Sequence, residues 1–303
     1  MSATSARSLV VTGATGKQGG ALIRALLAQP SQPFQIYALT RNKSSKGAQA
    51  LATKPNVHVI QGSFDQPGDI FKQVQKPWGL FLMTMPMNPV KEEQEGKAMA
   101  RAALEAGVKH IIFTATDRGG QEKSEQNPTD IAHFRSKFEI EREIAAQVKK
   151  YDATYTFLRP VAFFENLAPG FIGKAFVSIW RLNGADRKLQ MISTSDIGRI
   201  GTEAFLNADS DEYCNKGISI AGDSLTPTEA AQIFKQVTGQ EIPWTYSIVG
   251  RLIKWILYEQ LGKMFDWFAT ESYGADVPAL RKRYPFMQDF KTWLEQDSAW
   301  KKA

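Results

Sequence analysis

The stretch Val10-Val11-Thr12-Gly13-Ala14-Thr15-Gly16-Lys17-Gln18-Gly19-Gly20 runs directly into Ala21-Leu22-Ile23-Arg24-Ala25-Leu26-Leu27. A buried-type strand ends in a turn with glycines at 13, 16 and 19, and an amphipathic helix begins at once. In such a unit one glycine makes the turn tight, one lets the backbone approach a pyrophosphate, and one lets helix pack closely on strand. The anion then rests on the N-terminus of the helix. The spacing is G-x-x-G-x-x-G, one residue longer between the first two glycines than the usual dinucleotide fingerprint. Its place between strand and helix predicts a dinucleotide turn made by Gly13, Thr15, Gly16, Lys17, Gln18 and Gly19.

Outward from this turn, the first half of the chain repeats one rhythm. Short β-branched or aromatic runs at 8–12, 34–40, 57–61, 79–84, 109–114 and 154–158 read as strands, and segments near 17–28, 67–75, 90–106 and 130–149 read as helices. Alternation of this kind predicts an α/β fold, a Rossmann-type doubly wound parallel sheet covered on both faces by right-handed crossovers. Residues 1–160 are expected to form the dinucleotide-binding domain, with later segments adding to its sheet, and 161–303 mainly a smaller C-terminal substrate region.

Beyond residue 160 the rhythm loosens, with one late strand at 218–221 and a helix that starts at Thr226-Pro227-Thr228-Glu229. The last is an N-cap threonine, a proline at the first helical position and a glutamate three residues after the cap. Six of the seven tryptophans lie after residue 160, which suggests an aromatic-lined region over the ligand edge of the sheet. Residues 248–258 read as an amphipathic helix with Arg251 and Lys254 on its wet side. A lid is favoured there over a partner-docking face or a membrane-surface helix.

The residues after the second strand choose the cofactor. A site for NAD places an acid there to bond the ribose hydroxyls, whereas a 2′-phosphate needs cations. Here the chain reads Leu39-Thr40-Arg41-Asn42-Lys43, with no acid within reach. The planar guanidinium of Arg41 pairs well with a phosphate, and Lys17 or Lys43 adds charge, so NADP(H) is favoured.

Composition narrows the classes further. The 303 residues are 43% hydrophobic, enough for a large core, and 37 Lys and Arg against 31 Asp and Glu give a charge of +6 without long runs of one sign. Direct nucleic-acid binding is therefore not expected. A single cysteine, Cys214, excludes an internal disulfide and Cys-based zinc sites, and His58, His110 and His133 lack metal-ligand spacing, so no metal is expected. The leading residues lack an apolar signal core and no apolar run reaches 18 residues, so the protein is expected to be cytoplasmic with no transmembrane segment.

Together the residues resemble the NmrA-like family of atypical short-chain dehydrogenase/reductases. The likeness rests on Val11-Thr12-Gly13-Ala14-Thr15-Gly16 with Gly19-Gly20, Thr40-Arg41-Asn42, His133-Phe134-Arg135-Ser136-Lys137, Leu158-Arg159-Pro160 with Glu165-Asn166-Leu167, Ser195-Asp196-Ile197-Gly198, Ala221-Gly222-Asp223, and the ending from Tyr273-Gly274-Ala275-Asp276. It implies an NADP-binding domain, a small C-terminal substrate region and a cleft between them. By the same resemblance Phe64 and Asp65 contact the adenine, although Ser63 stands where the family usually has an acid. Thr84, Met85 and Pro86 lie along the ribose and phosphates.

Better-known short-chain dehydrogenases carry Tyr-x-x-x-Lys on one helix; here the spacing is kept as His133 and Lys137, but the tyrosine is not. His133 is a candidate general acid, and Lys137 a candidate to bond the ribose hydroxyls or a carbonyl being reduced. By the same resemblance Thr114 and Thr116, at the end of the fifth strand, occupy the region of the family's usual serine, which implies that one or the other bonds a substrate oxygen. With the tyrosine lost, a conjugated carbonyl or quinone-like acceptor is expected, bound among Phe163, Phe164, Asn166, Trp244 and Phe265. The reading is an NADP(H)-dependent reductase, with specialised metabolism as one setting for it; the alternative is a non-catalytic NADP(H) sensor that acts through a protein partner.

Overall fold

Apolar strands separated by amphipathic helices have one economical arrangement, a sheet with helices on both faces. The computed structural model has that form, and it describes residues 6–244, 247–256 and 258–300. The leading residues 1–5 and Leu257, which entered the expectations above, lie outside the described residues.

Along the chain the elements are β1 (Arg7–Val11), α1 (Lys17–Leu27), β2 (Phe34–Thr40), α2 (Lys46–Ala52), β3 (Val57–Gln61), α3 (Pro67–Phe71), β4 (Pro77–Leu82) and α4 (Pro89–Glu105). There follow β5 (His110–Thr114), α5 (Gln121–Ser124), α6 (Ala132–Val148), β6 (Thr154–Pro160), β7 (Ala162–Phe163), α7 (Phe171–Leu182), β8 (Leu189–Ile192) and α8 (Thr194–Leu206). The last are β9 (Lys216–Ile220), β10 (Asp223–Leu225), α9 (Pro227–Thr238), α10 (Ser247–Ile256), α11 (Lys263–Thr270), α12 (Val277–Arg283) and α13 (Phe290–Gln296).

The chain divides into two compact units. The first takes in the chain up to Ala115, then Arg135–Leu158 and Ile197–Ile218. Its sheet has the order β3-β2-β1-β4-β5-β6-β9. The neighbours from β3 through to β6 are all parallel. The chain therefore winds outward one way through β1, β2 and β3 and the other way through β4, β5 and β6, with the switch between β1 and β4, where such sheets hold their ligands. Leu80, Leu82, Met99, Ile111, Phe113 and Ile140 are among the side chains that close its core.

The second unit comprises Thr116–Phe134, Arg159–Asp196 and the chain from Ser219 onward. A small sheet of order β10-β8-β7 is wrapped by helices. Several of the late aromatics lie in its interior beside aliphatic residues such as Leu189 and Met191: Phe164 lies against Phe290 and Trp293, and Phe265 against Phe176 and Phe268. The helix at Thr226 starts as expected, with both bonds of the capping box formed.

Three expectations need correction. The strand expected at 79–84 runs Pro77–Leu82, so Thr84 lies past its end. The helix expected at 67–75 is α-helical only over Pro67–Phe71. In α10 the apolar Leu252, Trp255 and Ile256 are exposed, while Lys254 is only partly exposed and turns to Asp266 as an ion pair. The periodicity of the helix cannot reveal that salt bridge, because Asp266 belongs to another helix.

His110 is sealed into the first unit. Its ring nitrogens meet the Thr154 and Thr156 hydroxyls at 2.8 and 3.2 Å, and its ring stacks with Trp78 and makes an edge contact with Phe205. Burial pushes its pKa down to about 3. The unfolded chain gains a proton near pH 6.5 that the folded chain refuses, so stability is full above that pH and falls as the pH drops towards 3. Denaturation at pH 7 and pH 5 should show a loss of about 2 kcal/mol from this group, absent from the pH dependence of His110→Gln. An unchanged slope in that variant would mean that His110 is not the group responsible.

Candidate functional site

Thr12 holds the two strands at the switch point together. Its backbone N–H donates to the Phe81 carbonyl at 3.0 Å, and its hydroxyl accepts from the Met83 N–H at 2.7 Å. The glycine turn starts from this anchor. Gly13 has φ +58°, a conformation that costs glycine little, and its carbonyl accepts from the Gly16 N–H at 2.8 Å. Gly16 caps α1, and no acidic side chain stands in the first turn of the helix. The helix N-terminus thus presents backbone donors and the positive end of its dipole without a competing carboxylate.

A cavity of about 710 Å³ opens here within the first unit. Gly13, Thr15 and Gly16 form one wall, and Thr40, Arg41, Asn42 and Ser45 another. Gly62, Ser63, Phe64 and Asp65 also line it, as do Met83, Met85, Met87, Asn88 and Lys91 with Glu92 and Glu95. Arg41 is held on an ordered turn, where the Thr40 hydroxyl accepts from the Asn42 N–H at 3.2 Å and the Asn42 side chain from the Ser44 N–H at 2.8 Å. Across the cavity, Lys91 stands 3.3 Å from Asp65. The Ser63 hydroxyl, and then Lys91, hold the Asp65 carboxyl below its ordinary value.

The structure therefore brings Gly13, Thr15, Gly16, Arg41, Phe64 and Asp65 to one cavity, with Lys17, Gln18 and Gly19 on the adjoining first turn of α1. Thr84 and Lys137 are not part of its wall; they meet Glu92, which is. Lys137 Nζ donates to Glu92 Oε1 at 2.7 Å and to Thr84 Oγ1 at 3.1 Å. Thr84 and Ser136 each donate a hydroxyl to the same carboxylate at 2.6 Å. Burial alone would push the Glu92 carboxyl up, but the Lys137 ammonium and these hydrogen bonds outweigh it and hold the group below the usual carboxylate range.

Sequence reasoning passed over Glu92, which looks like one of several acids on a surface helix. The available signal was its place in the first turn of α4, on the face where Gly96 and Met99 are buried. Of the two threonines left open, Thr114 donates to the Gln18 side chain at 2.6 Å inside the first unit, and Thr116 to the Pro160 carbonyl at 3.4 Å inside the second.

The remaining candidates belong to the second unit. The His133 ring meets Phe134 edge-on at 4.8 Å. Phe164 and Phe265 are 0% and 1% exposed, inside the aromatic core, whereas Phe163 and Asn166 are half-buried. Trp244 is open to solvent with Arg181 over its ring. Also unforeseen is Tyr273, against Trp267 and Phe268; burial, then Asp117, raises its phenol well above the usual range, opposed by a bond to Thr116.

Among the described residues, no three His, Cys, Asp or Glu side chains gather as a metal-ligand group, and no helix is long and apolar enough to cross a membrane.

Comparison with known proteins adds a family. The sequence pattern of the NmrA-like family matches residues 5–295. The NmrA-like family domain-containing oxidoreductase FrzB of Cladobotryum sp is 26% identical over 262 residues, which span 77% of this chain and 74% of that relative. The triphenylmethane reductase of Citrobacter sp., complexed with NADP(H), superposes with a TM-score of 0.70 at 21% identity, over 95% of this chain and 99% of that one. NmrA, a negative transcriptional regulator, in complex with NADP, gives 0.71 at 17% identity over 97% and 96%. At these identities the structural likeness is one of fold.

The glycine turn is open to a direct test. A methyl added at Gly19 would lie 2.4 Å from the Gly13 carbonyl oxygen and 2.7 Å from that of Thr12, both rigid backbone. Gly19→Ala should lower stability by about 1–3 kcal/mol in a denaturant titration. The control Gly68→Ala, whose added carbon meets nothing within 4 Å, should not. Equal midpoints for Gly19→Ala and the natural chain would show that the close approach is dispensable.

Proposed function

The chain belongs to the NmrA-like family, and from that premise we propose that it is an NADP(H)-dependent oxidoreductase which delivers hydride to a conjugated carbonyl or quinone-like small molecule. One observation carries the cofactor part. The cavity joins a glycine turn at a helix N-terminus to the Arg41 turn, and the chain from Thr40 to Lys46 contains no carboxylate.

That wall fits a phosphorylated dinucleotide. The volume suits a ligand of this size, the φ +58° backbone at Gly13 makes a tight turn that glycine adopts at little cost, and the helix end supplies donors for a pyrophosphate. Arg41 is the residue to hold a 2′-phosphate, with Lys17 or Lys43 adding charge, and Phe64 and Asp65 border the adenine. When bound, the dinucleotide supplies the hydride that no side chain of the protein provides.

Lys137 keeps an ammonium donor for a ribose hydroxyl or for the oxygen that gains charge. His133 is the residue proposed to hand that oxygen a proton. With histidine in place of tyrosine at 133, an already electrophilic acceptor is the fitting substrate, since it needs the least acid assistance. The half-buried Phe163 and Asn166 and the exposed Trp244 are the aromatic and polar contacts proposed for it, with Phe164 and Phe265 as the core behind them. The oxidoreductase relatives support the same reading.

The deciding experiment follows NADPH consumption against a panel of quinones and aromatic enones, with NADPH binding measured in parallel. Turnover above the uncatalysed rate is expected. Tight binding with no turnover would replace this reading with a dinucleotide sensor that works through a protein partner, the role that NmrA's description as a regulator brings to mind. For the cofactor, Arg41→Ala should weaken NADPH by about 1–3 kcal/mol, on the order of 5- to 150-fold, and NADH hardly at all. Equal weakening of both would remove Arg41 from the phosphate site.

A further inference from the structure

A carboxylate that is 1% exposed and takes hydrogen bonds from three side chains is an unusual thing to keep inside a protein. Its position in the first turn of α4 explains part of its stability, because a negative charge is favoured at a helix N-terminus. It does not explain the convergence of Thr84 from beyond β4 and of Ser136 and Lys137 from α6. Nor is a buried ion pair by itself a good stabiliser, since an apolar replacement of similar volume often does as well or better. What a fully satisfied buried pair provides is direction.

We propose that Glu92 is a positioning residue that aims the Lys137 ammonium at the nicotinamide half of the bound dinucleotide. This rests on the role given to Lys137 above. The geometry is specific. An ammonium has three N–H donors; one is taken by Glu92 Oε1 at 2.7 Å and one by Thr84 Oγ1 at 3.1 Å, which fixes the direction of the third. Thr84 is itself fixed, because its hydroxyl donates to the same Oε1 at 2.6 Å. Ser136 anchors the other oxygen, Oε2, at 2.6 Å, so the carboxylate cannot rotate without losing a bond. The Phe113 ring lies 5.8 Å from the ammonium and bounds it on a further side. Lys137, a flexible side chain only 12% exposed, is thereby held in one orientation. Glu92 belongs to the cavity lining while its carboxylate is buried, so the clamp lies just behind that wall.

The test separates this role from a structural one with two ligands. NADPH carries the nicotinamide ribose; 2′,5′-ADP carries the adenosine and its 2′-phosphate but no nicotinamide. Equilibrium binding of both is measured for the natural chain, Lys137→Ala, Glu92→Gln and Ser136→Ala, with thermal melts to check folding. Glu92→Gln keeps the shape and removes the charge. It and Lys137→Ala should each weaken NADPH about 5- to 30-fold while 2′,5′-ADP stays within about twofold. Ser136→Ala keeps the charge and frees one carboxylate oxygen; it should weaken NADPH about 2- to 5-fold with the same selectivity, and it decides the matter if Glu92→Gln does not fold.

Loss with Lys137→Ala but not with Glu92→Gln or Ser136→Ala would overturn the role of Glu92 and leave that of Lys137 standing. Equal weakening of both ligands by Glu92→Gln would make the carboxylate merely structural. No loss with Lys137→Ala would overturn the reading of Lys137 and, with it, this one.

Discussion

The contact on which the site depends is the stitch between β1 and β4 at Thr12. These strands are neighbours in space yet far apart in the chain, and beyond them the winding of the sheet reverses. At a reversal the two crossovers leave in opposite directions and a crevice opens between them. Thr12 closes the base of that crevice with its backbone N–H on the Phe81 carbonyl and its hydroxyl under the Met83 N–H. Gly13 can then turn sharply, and α1 can start close enough to the strand for its first turn to face the opening.

Electrostatics organises the crevice in two tiers. Near the surface, Arg41 and the start of α1 make a region short of negative charge, while Lys91 answers Asp65 across the rim and Glu95 one turn along α4. Deeper, the Glu92–Lys137 pair is neutral as a whole but strongly directional, and two hydroxyls complete its bonding. Exposed pairs of the first kind are screened and rearrange readily; the buried pair keeps its geometry because water cannot substitute for its partners.

The second unit is built on a different principle. Its small sheet has three strands among the described residues, and its core mixes aliphatic side chains with rings, Phe164, Phe265, Phe268, Phe290 and Trp293 being packed at stacking and edge distances. Aromatic density in a sequence signals large apolar side chains, and such side chains serve a core as readily as a pocket. For that reason the late tryptophans and phenylalanines were ambiguous until their burial was known.

The sequence by itself determined the β–α alternation, the glycine turn, the capped start of α9 and the acid-free end of β2. Each of these is written in local periodicity or in a few adjacent residues whose backbone preferences act over one turn of chain. Tertiary structure alone decided the rest. Glu92, Ser136 and Lys137 meet across 44 and 45 positions, and Thr84 meets Lys137 across 53. Lys254, partly buried, pairs with the half-exposed Asp266 on a neighbouring helix. A charged residue on an amphipathic helix reads as solvated unless a partner from elsewhere lowers the cost of burying it, and that partner is chosen by the fold, not by the spacing of residues along the chain.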